Sequence, residues 1–573
     1  MKRNSLKYFK LSGLMLSLLL GGCDLNEQHY SSVTPDIFFT SKESTYAVLA
    51  RPFTHWRWFI GADRWYLQEL TTDAMTCPQR AEDWYNGGEY FRLQYHTWNP
   101  DDRFVENTYN GVGGGIARTM SAKQDLEALD YSTVGMTDQD KADQVQQLEA
   151  LIAWFYMRGL DFFGGMPIYE STQDELRPRA TAQETFDHIE GLLKNAIPNL
   201  KKKTELGAFE DGYIRQAAAA AMLAQLYFNA EAYTGQNRFA ECAAICQDII
   251  NGEYGVYELD NTWWGPHGFD NDRSPEIIWA APSKGGSTTD AAWLWYWRYF
   301  YHQESGKYFG GVSGNGAPYN GFMLSPSRKP TGQIYTEFKL GNPYEKFHDN
   351  DLRKRPFVYR GNKNYEGMFL VGTQTNPITG ESTKGTKAYS GEILNLVDIV
   401  APFKELNTKY GGDLSKLPSN IQVGEENSGI RLVKVPQPNL ADQPLQFDPD
   451  APVIRLAEIY YMLAECKLRD GDTGAAATLI NTVRERNFAN RVDPDPVTAA
   501  NLDKYRMLDE WLIEFLGEGR RRTDLIRWEA FTQEKWWDHE PTDNTKNRFP
   551  IPYSAISANN LLLQNPGYGG NSK

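Results

Sequence analysis

A chain of 573 residues with a net charge of −15 and a pI near 5.2 is long enough for a large core or two lobes. It lacks the concentrated basic surface that nucleic-acid binding needs, and its five cysteines are too few and too scattered for a disulfide scaffold. With 13% aromatic residues at a mean hydropathy of −0.56, many rings must sit beside polar groups, as they do at wet recognition surfaces.

The chain opens with Lys2, Arg3, Lys7 and Lys10, an apolar run from Leu11 to Leu20, then Gly21-Gly22-Cys23. That order is a secretory signal over residues 1–22, too short in its apolar part to span a bilayer, and no later stretch reads as a membrane span. Leu20-Gly21-Gly22-Cys23 resembles a bacterial lipobox, which implies that Cys23 is the first mature residue and carries acyl chains. Residues 23–34 form a tether. From Pro35 to Leu70 the spacing of Tyr46, Leu49 and Phe53 predicts helix. Thr71 to Pro100 then mixes polar residues, glycines and aromatics without a period, which marks a loop with something to hold. Gly111 to Gly115 reads as a flexible turn. A strong helix runs from Gln146 to Phe163, stopped by Gly164-Gly165 and Pro167, and another from Thr181 to Leu200, capped by Thr181 with Glu184 three residues on. Ile214 to Tyr254 gives a helix-turn-helix whose Ala217 to Ala221 form a close-packing surface. Cys242 and Cys246 lie one turn apart there and read as buried thiols rather than a bridge or half a metal site.

Between residues 257 and 450 glycine, proline, asparagine and aromatics replace helical stripes, predicting short helices and small β-hairpins, for example around Tyr359 to Thr373 and Gly429 to Val435. Helical order returns with Pro452 in a first turn and a stripe of Ile454, Ala457, Tyr461, Ala464 and Leu468. Gly471 ends that helix, Asp472 or Thr473 caps the next, and Ala476, Leu479, Ile480 and Val483 form the facing stripe. Asp503 to Trp528 is a helix broken at Arg520-Arg521-Arg522, a run best read as structural charges paired with neighbours such as Glu514, Glu518, Asp524 and Glu529. The fold class is therefore mainly α, with tetratricopeptide-like helix pairs over about 35–256 and 451–530 and a large loop-rich insert over about 257–450 carrying short helices and small β-hairpins.

Several stretches carry a family likeness. Arg455-Leu456-Ala457-Glu458, Ala464-Glu465, Gly471-Asp472, Ile480-Asn481 and Arg484-Glu485-Arg486 closely resemble the C-terminal signature of SusD/RagB proteins. LEALIAWFYMRGLDFFGGMPIY resembles the family's ARFLRA-type helix and GGVP-type turn, departing from it at Leu151-Ile152-Ala153-Trp154. GEGRRRTDLIRW, FPIP and QNPGY resemble its closing motifs. The resemblance implies a single domain over 35–573 on a lipoprotein of the outer membrane surface. It further implies a tetratricopeptide face that docks a SusC-like TonB-dependent transporter, and a glycan site built from loops elsewhere.

Catalytic patterns are missing: Gly311-Val312-Ser313-Gly314-Asn315 fails the nucleophile-elbow pattern at its last position, and there is no HExxH, dinucleotide-binding motif or P-loop. The chain reads as a binding protein, not an enzyme, and no cofactor is expected. Sugar binding needs flat rings that stack on pyranose faces and planar polar groups that bridge hydroxyls. Asp73, Arg80, Asp83, Trp84, Tyr85, Trp98 and Asn99 supply both within one loop. Trp293, Trp295, Tyr296, Trp297 and Tyr299 form a second cluster, whose tryptophans share a side if the stretch is extended. The expected function is capture of an oligosaccharide or polysaccharide and delivery to the transporter; the alternatives are a RagB-like peptide-binding protein and an extracellular glycosidase.

Overall fold

The helices stack in space in an order that skips part of the chain. The computed structural model describes residues 38–61, 63–209, 211–283, 298–305, 318–376, 379–436 and 449–569. In it α1 (Lys42–Gly61), α2 (Asp63–Glu69) and α3 (Glu89–Gln94) lead to α4 (Arg103–Ala128), on which α1 packs. Then α4 packs on α5 (Asp138–Phe163), α5 on α6 (Ala182–Ala196), α6 on α7 (Gln216–Phe228) and α7 on α8 (Phe239–Ile250). The neighbour of α8 is α9 (Leu456–Arg469), against which α10 (Thr473–Arg484) packs back, so the whole insert is looped out between two adjacent layers of one helical stack. The helices α11 (Lys504–Phe515) and α12 (Arg521–Arg527) follow.

Local chemistry sets these boundaries. Thr181 and Glu184 form a reciprocal capping box at α6, as expected, and Thr137 with Asp140 forms another at α5. Helix α5 ends at Gly164, whose φ of +87° suits a left-handed cap. The Asp472 side chain accepts from the Ala475 N–H at 3.1 Å to start α10. Ala217 to Ala221 are fully buried, which lets the neighbours of α7 approach its backbone. The four described cysteines are buried and free, with Cys242 and Cys246 sulfurs 3.9 Å apart.

Three expectations change. Gly111 to Gly115 lie inside α4, not in a turn. A Cβ on Gly111 would stand 2.5 Å from the Phe59 ring and one on Gly115 2.3 Å from the Phe155 ring, so these glycines serve close helix packing. Pro452 lies in a strand, Ala451–Arg455, and not in the first turn of a helix, which begins at Leu456. That strand runs antiparallel to the strand Ile277–Ala281, with a register irregularity directly after Pro452, where a residue without an N–H is tolerated. The pair clamps the two ends of the insert together. Finally, Gly429 to Val435 makes no hairpin of its own: the strand Arg431–Leu432 pairs with the strand Phe369–Leu370. The hairpin expected near Tyr359 is present as the strands Val358–Gly361 and Asn364–Glu366.

Insert and helices are joined by buried charge. Arg455 reaches Glu276 (3.0 Å), Glu514 (2.8 Å) and Glu518 (2.8 Å), while Arg353 and Arg486 also meet Glu514 (2.8 and 2.9 Å). Burial pushes the Glu514 carboxyl up, but the surrounding guanidiniums, Arg455 foremost, outweigh it and hold it far below the carboxylate range. The arginine run carries paired structural charges, but of the expected neighbours only Asp524 takes part: Arg520 pairs with Glu458 and Asp524, Arg521 with Asp73, and Arg522 with Asp161, because the fold brings these distant acids closer than Glu514 and Glu518, which Arg455 holds.

Candidate ligand-binding site

The loop between α2 and α3 folds back on itself at a tight turn in which Arg80 and Asp83 exchange backbone hydrogen bonds of 2.9 Å in both directions. Ala81, Trp84, Asn86, Gly87 and Gly88 have positive φ. For a bulky residue such as Trp84, at +68°, that conformation is strained and must be imposed by its surroundings. Part of the constraint comes from Arg80. Its buried guanidinium donates to the carbonyls of Ser428 (3.1 Å), Gly321 (3.2 Å) and Glu425, tying the loop to two segments of the insert. Burial pushes its pKa down to about 10. Arg431 shares the Ser428 carbonyl at 2.6 Å and donates to Asn320 at 2.8 Å. Glu426 accepts from the Thr386 N–H at 2.8 Å and lies 3.0 Å from His302 Nε2.

On this frame the aromatic side chains gather. The half-buried Trp84 donates its Nε1–H to the Tyr319 carbonyl at 3.1 Å, and its ring lies 5.6 Å from Tyr90 and 5.9 Å from Tyr299. Gly321 makes room for it, since a Cβ there would stand 2.5 Å from the indole. Tyr319, 45% exposed, meets Tyr299 at 5.5 Å. Tyr85, 52% exposed, leans on Phe91 at 5.8 Å. At the rim Asp83 pairs with Lys387 at 2.5 Å, both half-exposed. Phe91 and Tyr95, one turn apart, continue the aromatic surface toward a groove of about 450 Å³ lined by Tyr95, Tyr335, Phe338 and the 535–542 segment. In it Tyr335 and Phe338 stack at 5.4 Å, and Tyr95 Oη donates to Asp538 at 2.8 Å. The combination of exposed ring faces and paired polar groups suits a ligand with alternating apolar and hydroxylated surface.

The residues singled out from sequence divide. Asp83, Trp84 and Tyr85 come together on this surface, with Arg80 beneath them as a positioning residue. Asp73 and Trp98 do not. Asp73 is enclosed and paired with Arg521. Trp98 is 2% exposed, donates to Tyr568 Oη at 2.6 Å and packs on Phe549 at 4.6 Å, so both belong to the core. Asn99 is exposed and closes a local turn by accepting from the Asp101 N–H. Trp293, Trp295, Tyr296, Trp297 and Cys23 lie outside the described residues. Tyr319, Lys387 and the Tyr335–Phe338 pair were missed; only the aromatic residues within glycine-rich sequence around 319 could have signalled the first. Among the described residues no group of three or more His, Cys, Asp or Glu could hold a metal ion, and no helix is long and apolar enough to cross a membrane.

Comparison with known proteins agrees with this architecture. The chain is 26% identical over 506 residues to starch-binding protein SusD of Bacteroides thetaiotaomicron, an alignment covering 85% of this chain and 82% of that protein. It is 34% identical over 133 residues to SusD-like protein P25 of Formosa agariphila, covering 20% and 24%. Among solved structures it superposes on a SusD-like protein from Bacteroides fragilis with a TM-score of 0.63 at 17% identity, covering 93% of this chain and 98% of the other. Surface glycan-binding protein A from Bacteroides uniformis gives 0.63 at 17% identity, covering 92% and 99%, and a laminarin-binding SusD-like protein gives 0.56 at 18%, covering 92% and 100%. Residues 275–568, which take in most of the insert and α9 to α12, match the SusD family, and the chain belongs to that family.

Proposed function

We propose that this protein captures a glycan on the loop surface around Trp84, Tyr85 and Tyr319 and performs no chemistry on it. The observation that carries the reading is that two exposed tyrosines and a strained, half-buried tryptophan are brought to one surface by a buried arginine frame. Holding rings rigid before the ligand arrives lowers the ordering cost of binding. Family membership and the glycan-binding names of relatives support the ligand class, and Trp293, Trp295, Tyr296 and Trp297 remain proposed contributors beside Tyr299. In this reading Cys23 carries the lipid that holds the protein at the outer membrane surface, and the helical stack docks a SusC-like TonB-dependent transporter that receives the ligand. Affinity electrophoresis against plant, host and microbial polysaccharides tests the first claim: retardation by a polysaccharide without its degradation supports it, and turnover of that polysaccharide would reassign the protein as a glycosidase. Copurification with a transporter from the outer membrane tests the second, and release of Cys23→Ala from the membrane fraction tests the anchor.

A further inference from the structure

Among the described residues most buried arginines are met by carboxylates, as Arg455 is by Glu514, Arg521 by Asp73 and Arg527 by Glu465, all within 3.0 Å, or, like Arg80 and Arg431, by several close carbonyl or amide oxygens. Arg64 on α2 and Arg158 on α5 are not. Neither forms an ion pair among the described residues. Arg64, 9% exposed, reaches only the carbonyls of Ile60 and Gly519, at 3.4 and 3.3 Å, and its Nε has no partner. The half-buried Arg158 also has an unpartnered, buried Nε. The two guanidinium carbons lie 5.8 and 5.3 Å from the centroid of the same buried indole, that of Trp154. Burial first, and then the charge of Arg158, push Arg64 down to about 9. Asp161, Glu69 and Glu458 oppose that shift from a distance, but none of them pairs with either guanidinium.

Both side chains line one pocket between α2, α5, α7 and the start of α9, with a volume of about 70 Å³. That is room for several waters or one small polyatomic anion. Two carboxylates also line it, but each is already engaged. Glu458 accepts from Arg520 at 2.7 Å and Gln225 at 2.9 Å; Glu518 accepts from Arg455 at 2.8 Å and from Lys434. Two further acids act on Arg64 from outside the pocket: Asp161 is engaged by Gln68 (2.6 Å) and Arg522 (3.2 Å), and Glu69 accepts from the backbone N–H groups of Gly519 and Arg520 through one oxygen, its other oxygen making no hydrogen bond to either arginine. A desolvated guanidinium with only long contacts and an unpartnered Nε is costly, and a planar fork of N–H donors fits an oxyanion.

We propose that the pocket between Arg64 and Arg158 is a binding site for one small oxyanion, a carboxylate, sulfate or phosphate group, held by both guanidiniums over Trp154. The site lies in the helical stack, apart from the loop surface around Trp84, and does not depend on the glycan reading. The ligand group could arrive as a free ion or as the acidic substituent of a larger molecule.

Equilibrium dialysis of labelled sulfate against the full mature chain, at fixed ionic strength, tests the proposal. Saturable binding of a single equivalent is expected. Arg158→Gln should weaken it by at least about tenfold, the loss of one charge-assisted fork, while Arg118→Gln, which removes an exposed arginine from α4, should leave it unchanged. Competition by both phosphate and glucuronate would show that the site takes the oxyanion from either source; competition by phosphate alone would restrict it to free ions. No saturable binding to the wild-type chain, or equal binding by Arg158→Gln, overturns the proposal. If Arg158→Gln does not fold, Arg158→Lys keeps the charge but loses the fork, and undiminished binding by it counts equally against the clamp.

Discussion

Arg521 grips Asp73 through two parallel hydrogen bonds, Nε to Oδ1 at 2.7 Å and Nη2 to Oδ2 at 2.8 Å, with both side chains almost fully buried. The same carboxylate accepts from the Gly341 N–H at 2.9 Å, so one acid joins the start of the ligand loop, the insert and α12. Asp73→Ala strands a buried guanidinium, and we expect it to cost about 3–5 kcal/mol of folding stability, measured by chemical denaturation, with ligand affinity per folded molecule unchanged. Burial pushes the Asp73 carboxyl up, but Arg521 outweighs it and the net shift is downward. The stabilisation is therefore present above the ordinary carboxylate range and is lost only as pH falls through the lowered folded-state value. The gap between wild type and variant should persist into mild acid.

This pair also shows where sequence reading stops. A polar, aromatic, glycine-flanked loop looks the same whether its acids face solvent or an arginine 448 residues later, so the sequence pattern points Asp73 and Trp98 to a surface they do not reach. The long helices were legible because α5 and α9 repeat their apolar residues with the period of the backbone and end on Gly164 and Gly471, both at positive φ. The insert was legible only as an insert. Its strands at Phe369–Leu370 and Arg431–Leu432 are two residues long and find each other across some sixty residues, leaving no local period to read. Asp83, Trp84 and Tyr85 could be picked out because they are adjacent in one turn; Tyr319 and Lys387 reach them only through the fold.

Glycine inside α4 gives a second test. In an exposed helix Gly→Ala is stabilising by up to about 1 kcal/mol, yet at Gly115 the added carbon would stand 2.3 Å from the Phe155 ring, which is fully buried and cannot swing aside. We expect Gly115→Ala to destabilise by about 1–3 kcal/mol through overpacking. Gly113→Ala, where nothing lies within 4 Å, should be neutral or stabilising. Thermal unfolding of the two variants side by side measures the contrast.

Asp398 carries a pH dependence of opposite sign to that of Asp73. Burial raises its carboxyl to about 7, only partly opposed by the Ser327 N–H donated at 3.0 Å. A carboxyl whose folded value is raised binds its proton more tightly in the folded state. Its contribution is therefore fully present below the unfolded value and is lost as pH rises through about 7. Asp398→Asn keeps the shape and removes the titration. Its stability relative to wild type should rise between pH values of about 5 and 8; a flat difference across that range would show that Asp398 does not titrate there.

The ligand surface itself is tested by three aromatic positions that differ in burial. Tyr85, half-exposed and in ring contact with Phe91, should lose about 1–2 kcal/mol of glycan affinity on replacement by alanine while its melting temperature barely moves, as for most exposed positions. Trp98, a core residue, should lose about 3–5 kcal/mol of stability with affinity unchanged in whatever fraction stays folded. Trp84 lies between them, because its ring contacts Tyr90, Tyr299 and Phe322 below and its Nε1–H is bound to the Tyr319 carbonyl. Trp84→Ala should therefore lower both stability and affinity, the latter beyond what the unfolded fraction explains. Melting curves and affinity electrophoresis on the same three preparations, against a polysaccharide that retards the wild type, separate these outcomes. If Tyr85→Ala and Trp84→Ala both bind like wild type, the glycan is held elsewhere on the molecule, and the groove lined by Tyr95, Tyr335 and Phe338 becomes the next surface to vary.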